Sequence, residues 1–201
     1  MLTAKQLKGF GLLELMIAIA IVSLAFVWGL PSFTQWIQGM ENRTAAESIQ
    51  NGLQLARTES VRRNAIVRFQ LTGPVGRVAW TVGCVTVQDD CPAVIQSRSA
   101  GDGSSNARVG VSAVAIPNPP PVNQFAAVLA GGAGFTADTG VSFNGMGRVP
   151  TANVGTDITR FDITNDLSSK ARRLIVVVGI GGQIRMCDPA LVFAVNPQGC
   201  A

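Results

Sequence analysis

Histidine and tyrosine are absent from this chain of 201 residues, and only 14% of its residues are charged. Without histidine there is no Ser-His or Cys-His nucleophilic pair, and the commonest general base and metal ligand are missing. The four cysteines, Cys84, Cys91, Cys187 and Cys200, are spaced C-x6-C and C-x12-C, without the close pairs of zinc ribbons or redox motifs. Gly179-Ile180-Gly181-Gly182 lacks the full spacing and the following helix of a dinucleotide fingerprint and reads as a hairpin turn. Asp89-Asp90 reads as a solvated turn pair, and no internal repeat is evident. No catalytic residue, metal or cofactor is expected, and an enzyme is the weakest reading.

Charge is missing most conspicuously from Phe10 to Leu30. These 21 residues contain no Lys, Arg, Asp or Asn, and Glu14 is their one ionisable side chain. At 1.5 Å per residue the run makes a helix of about 30 Å, the thickness of a bilayer's hydrocarbon core. Lys5 and Lys8 precede it and the first charges after it are Glu41 and Arg43, so the positive-inside bias places the N-terminus in the cytoplasm and the rest outside. A cleaved secretory signal, cut near Ser23-Leu24-Ala25, is the alternative. The run is too long for a signal core and carries a carboxylate, both of which count against it. That carboxylate costs on the order of 2.5 kcal/mol or more at mid-bilayer and calls for a positive partner, which nothing within the apolar helix supplies.

Lys8-Gly9 followed by Phe10, with Glu14 fifth counting from Phe10, resembles the class III signal of the type IV pilin-like superfamily. The resemblance implies a prepilin peptidase cut between Gly9 and Phe10, N-methylation of Phe10, and attraction of a neighbouring subunit's N-terminal amine by Glu14 during assembly. Pro31 sits where family members commonly carry a helix-kinking proline, while Gly11 replaces the usual Thr or Ser. Loss of Lys5 and Lys8 with the leader leaves the mature side chains at +2, down from the formal +4.

Beyond Pro31, Phe33, Ile37, Met40, Ala45, Ile49, Leu53, Ala56 and Ser60 recur mostly at three- and four-residue steps, an apolar or small stripe flanked by charge. One helix is therefore predicted from Phe10 to about Arg63, bent near Pro31 and eased at Gly39, with Glu59 and Arg63 as an i,i+4 pair. Gly52-Leu53-Gln54-Leu55-Ala56-Arg57-Thr58-Glu59-Ser60 resembles a segment of the H-type pseudopilin and FimT/FimU minor pilin class. Val141-Ser142-Phe143-Asn144-Gly145-Met146-Gly147-Arg148-Val149 looks like the same class, as a strand ending in a glycine turn.

From Ala65 the period becomes two. Val67, Phe69 and Leu71, then Val78, Trp80 and Val82, predict a hairpin turning at Gly73-Pro74-Val75-Gly76. Further strands are expected at 93–98, 109–116, 161–164, 173–179 and 183–187. Pro117-Asn118-Pro119-Pro120-Pro121 reads as an extended connector, a surface loop in preference to an SH3-type ligand. The order, helix first and strands after, gives an α+β class: a long N-terminal transmembrane helix packed on a C-terminal antiparallel β domain, as in pilins. The divisions are residues 1–9 leader, 10–30 transmembrane helix, 31–63 amphipathic continuation and 64–201 periplasmic β-rich domain.

An even cysteine count in a chain facing an oxidising compartment predicts disulfides. Three connectivities are open, and we favour the sequence-local Cys84–Cys91 and Cys187–Cys200. Lys170, Arg172 and Arg173 precede one terminal strand and Arg185 lies on the next, so together they form a candidate phosphate-binding patch. In FimT members a Gly-Arg-x-Arg element binds DNA; the matching Gly182-Gln183-Ile184-Arg185 has Gln for the first Arg, and no aromatics interleave for base stacking. A solvated face is the favoured reading of these cations and DNA contact the competing one. The expected role is a minor pilin or pseudopilin of a type IV pilus or type II secretion pseudopilus, with other pilins, the peptidase and the inner membrane as partners. The paired cysteines and proline connector favour the pilus.

Overall fold

The computed structural model describes residues 11–200 except 118, 122 and 137, and not the side chains of 25–32. One helix, α1 (Leu12–Arg63), is followed by strands β1 (Val67–Thr72), β2 (Ala79–Cys84), β3 (Gln96–Arg98), β4 (Ala107–Ser112), β5 (Gly140–Phe143), β6 (Arg160–Asn165), β7 (Leu174–Val178), β8 (Ile184–Val192) and β9 (Gly199–Cys200). They form two sheets, ordered β3-β2-β1-β5 and β4-β6-β7-β8-β9. The fold is α+β, an N-terminal helix packed on β-sheets whose pairings are antiparallel except that of β8 with β9.

The helix packs through its second half. Ala45, Ala46, Ile49, Leu53 and Ala56 are fully buried on one face and join Phe69 and Phe143 of the first sheet and Phe161 and Ile163 of the second in one core. Phe69 meets Phe161 edge-on with ring centres 5.9 Å apart, tying the sheets together beneath the helix. Small residues on the stripe let the helix come close: a Cβ on Gly52 would lie 2.7 Å from the Phe69 ring. Trp80 fits the same interface by donating its indole N–H to Ser48 Oγ at 2.8 Å.

α1 ends where the sequence predicts. Arg62 and Arg63 lie in the last turn, favourable to the helix dipole, and Glu59 accepts from both at 2.6 and 2.7 Å. The hydrogen bond from Arg62 leads in holding the Glu59 carboxyl below the usual glutamate range; burial opposes it and Arg63 adds to it. Asn64 closes the helix in the left-handed conformation, with φ of 46°.

Three expectations change. Phe33, Ile37 and Met40 belong to the predicted stripe but are exposed, because among the described side chains of α1 full burial begins only at Asn42. The strand expected at 109–116 stops at Ser112, whose partner Arg160 is the first residue of β6; past it the Thr159 hydroxyl caps the carbonyls of Ser112 and Val114. Finally β8 runs on to Val192 and takes β9 as a parallel neighbour, so the domain is not purely antiparallel.

Candidate assembly surface

Toward its N-terminus the helix leaves the domain. Its described residues from Leu12 to Leu24 are exposed around the whole circumference, Leu12 at 78% and Met16 at 62% among them. From Leu12 to Leu24 this exposed stretch is about 20 Å long at helical rise. A helix apolar on all sides has no stable place in water and is normally covered by lipid or protein. Glu14 lies on the exposed stretch, with no hydrogen-bond or ion-pair partner among the described residues.

Among the described residues no helix is long and apolar enough to cross a membrane. The described side chains of the apolar run stop at Leu24. Gly9, Phe10 and the side chain of Pro31 lie outside the described residues, and with them the predicted cleavage site and kink.

The two segments with minor-pilin character meet on the domain. Arg57 of α1 donates to the Gly147 carbonyl at 3.1 Å, and Gly147 closes the turn after β5 by donating to Asn144 at 2.7 Å. Gly182, in the turn between β7 and β8, completes the junction. Its φ is +80°, and a Cβ there would fall 1.9 Å from the Gly147 carbonyl oxygen. Gly182→Ala is therefore expected to cost about 2 kcal/mol, through a strained φ and a backbone clash. A thermal unfolding midpoint lowered by about 4–8 °C checks it; an unchanged midpoint removes the junction from the account.

The four cations do not act as one patch. Arg172 pairs with Asp188 at 2.5 Å. Arg173 turns to the opposite side, pairing with buried Asp162 at 3.0 Å and donating to the carbonyls of Phe125, Ala126 and Ala127. Burial lowers the Arg173 pKa, an effect that the Asp162 carboxylate opposes. Arg185 donates to the carbonyls of Pro197 and Gly199 and lies 4.4 Å from the centre of the Phe193 ring. Lys170 alone is exposed with no partner for its ammonium among the described residues. Arg172 and Arg173 stand just before β7, and their side chains leave this stretch toward different carboxylates, Asp188 and Asp162. Sequence reasoning missed Arg160 and Asp162, the buried pair beside Arg173, because in Arg160-Phe161-Asp162-Ile163-Thr164-Asn165 they alternate with the apolar residues as a solvent-facing side would.

Disulfides join Cys84 to Cys91 and Cys187 to Cys200. The first closes the Asp89-Asp90 turn, where Gln88 and Cys91 exchange backbone hydrogen bonds at 3.0 Å. The second ties β9 to β8, beside the carbonyls that Arg185 holds.

The family model described as type II transport protein GspH matches residues 45–182, more than half of the chain. The chain belongs to the GspH family. The match opens at Ala45, where α1 becomes buried, and closes at Gly182. A second model, the prokaryotic N-terminal methylation motif, matches residues 5–30 and so includes Gly9, Phe10 and Glu14. Over 97 residues this GspH-family chain is 31% identical to type II secretion system protein H of Xanthomonas campestris pv. campestris, across 48% of its own length and 56% of that protein's. It thus spans a little over half of that relative. Among solved structures it is similar to the type IV minor pilin FimU of Pseudomonas aeruginosa, with a TM-score of 0.47 and 15% identity over 80% of this chain and 96% of that one. It is also similar to the minor pseudopilin EpsH from the type 2 secretion system of Vibrio cholerae, with a TM-score of 0.47 and 11% identity over 75% and 99% of the respective chains.

Proposed function

We propose that this GspH-family chain is a minor pseudopilin or pilin, a structural subunit with no catalytic role that takes part in priming or tipping a filament. The observation that carries the reading is the exposed helix of Leu12–Leu24, apolar on every side and about 20 Å long, with the carboxylate of Glu14 near its start and without a partner among the described residues. A surface of that kind suits storage in the inner membrane as a single pass and transfer into a bundle of like helices. Its folded domain would then lie in the periplasm, where the two disulfides persist. The methylation motif over residues 5–30 supports cleavage between Gly9 and Phe10 by a prepilin peptidase and methylation of Phe10. The names of the matching family and of the Xanthomonas relative favour the type II secretion pseudopilus over the type IV pilus.

Mass analysis of protein extracted from membranes tests this directly. The expected product is a chain beginning at methylated Phe10. A soluble chain beginning near Phe26 would replace the assembly role with that of a secreted protein.

A further inference from the structure

A cleft of about 510 Å³ lies between α1 and the β7–β8 part of the second sheet. Its apolar lining includes Met40, Leu174 and Met186, and three cations, Arg43, Lys170 and Arg172, stand beside them. Arg43 and Arg172 have carboxylate neighbours, Glu47 at 2.7 Å and Asp188 at 2.5 Å, yet both side chains remain more than half exposed. Lys170 has no such neighbour among the described residues. The cleft is therefore net positive. At helical rise Met40 and Arg43 stand about 15 and 20 Å past Leu30, above a headgroup layer on the order of 5–8 Å deep, so membrane lipid does not reach it.

The complementary chemistry is displayed at the other end of the domain. Residues 85–90, which follow β2, are all exposed, and within them Asp89-Asp90 is the chain's only pair of adjacent acids. Neither carboxylate has a hydrogen bond or ion pair among the described residues. Val85, Val87 and Val94 flank the pair, each more than half exposed. The Cys84–Cys91 disulfide and the paired backbone hydrogen bonds of Gln88 and Cys91 hold the turn as a preformed knob, so docking it orders little chain. Val85 donates its amide to the carbonyl of Ile66 at 2.9 Å, just past the end of α1, whereas the cleft lies at 36–43 on the same helix. From Arg43 to Arg63 is about 30 Å along the axis. A knob therefore cannot enter the cleft of its own chain.

We propose that the Asp89-Asp90 knob of one copy docks in the cleft of a second copy, its carboxylates on Lys170, Arg43 and Arg172 and its valines against Met40 and Met186. The two surfaces differ, so the contact is heterologous: it leaves a free cleft on one copy and a free knob on the other, open to further copies. Because knob and cleft lie at opposite ends of the packed part of α1, copies stack with their helices pointing the same way. That direction suits the bundle of like helices put forward above, and the membrane setting of the contact rests on that reading.

Carbodiimide coupling of the membrane-extracted protein, reconstituted into liposomes as a mixture of unlabelled and nitrogen-15-labelled copies, tests the contact. The reagent joins a carboxylate to an amine, with loss of water, where the two touch. Lys5 and Lys8 leave with the leader, so Lys170 is the one lysine of the processed chain. The expected product is a ladder of dimers and higher species whose linked peptides join Lys170 to Asp89 or Asp90 with one label from each copy. Arg43→Glu keeps both coupling groups and is expected to lower the yield about fivefold or more, the effect of setting like charges against each other at a docking rim. Gly39 also lines the cleft, and a Cβ there meets nothing within 4 Å, so Gly39→Leu supplies an uncharged plug without a clash at its base. It is expected to reduce the yield while preserving the thermal midpoint. Monomers only, or a yield untouched by both variants, overturn the contact while leaving the anchoring intact. Lys170 joined to a second copy at other carboxylates overturns the knob as occupant. In native membranes, coupling of Lys170 to a different protein alone overturns the second copy in favour of that partner. Failure to enter liposomes at all removes the anchoring and the stack together.

Discussion

Asp162→Asn is expected to destabilise the domain by about 3–5 kcal/mol, the usual range for breaking a buried ion pair from one side. Asp162 is fully buried, and its carboxylate accepts from Arg160 at 3.0 and 3.1 Å, from Arg173 at 3.0 Å and from the Leu129 amide at 2.8 Å. The two guanidiniums in turn hold the carbonyls of Gln124, Phe125, Ala126 and Ala127. One carboxylate thus fixes two cations, and the cations fix an irregular segment that has no strand of its own. An amide in its place leaves two positive groups facing each other with their countercharge gone. The thermal midpoint should fall by about 10 °C, and amide exchange should speed up selectively at 124–129. Asp166→Asn is the matched control. Asp166 pairs with Arg108 but its side chain is 57% exposed, so its loss should cost under about 1 kcal/mol. If the two variants unfold alike, the buried cluster is not what holds the segment.

That cluster marks the limit of what the sequence makes legible. Regular elements announce themselves through period: the Val67-Phe69-Leu71 and Val78-Trp80-Val82 alternations pair as the β1–β2 hairpin, with Leu71 opposite Trp80. Glu59, Arg62 and Arg63 foretell the end of α1 because their partners are three or four residues away. The path from 124 to 129 gives no such signal. It is fixed by Arg160, Asp162 and Arg173, residues tens of positions downstream whose charges read as surface until their neighbours are known. β9 was equally invisible, since two residues, Gly199 and Cys200, carry no pattern, and parallel pairing follows from the path of the chain. Of the assembly surface, the apolar run and Glu14 were plain from composition. The exposure of Phe33, Ile37 and Met40 was not, because periodicity defines a face without saying where the domain that covers it begins. The cleft beside Trp36 was hidden for the same reason, since it joins α1 to β7 and β8 across more than a hundred residues.

Glu14→Ala should leave the chain in the membrane fraction and still reduce its incorporation into the filament or priming complex by about fivefold or more. Removing the carboxylate relieves an insertion cost, somewhat below the roughly 2.5 kcal/mol of a mid-bilayer charge because Glu14 lies near one end of the run, so membrane retention has no reason to fall. Incorporation depends on a different balance. In the proposed assembly the carboxylate meets a neighbour's N-terminal amine among packed apolar helices, where two unit charges about 4 Å apart attract by roughly 1–4 kcal/mol, from the water limit to a protein-like dielectric. Each 1.4 kcal/mol is tenfold in the association constant. Glu14→Gln separates charge from shape: the amide keeps the size and a hydrogen-bonding oxygen but cannot make the ion pair, so it should resemble Ala more than wild type. Both variants are to be measured at native expression, by the ratio of filament-associated to membrane-bound protein, with processing at Phe10 verified in each. Should Gln assemble as wild type does while Ala fails, Glu14 acts through hydrogen bonding or packing and the charge is incidental. Should both assemble normally, the lone carboxylate on this projecting helix does not direct assembly, and the apolar surface must do so unaided.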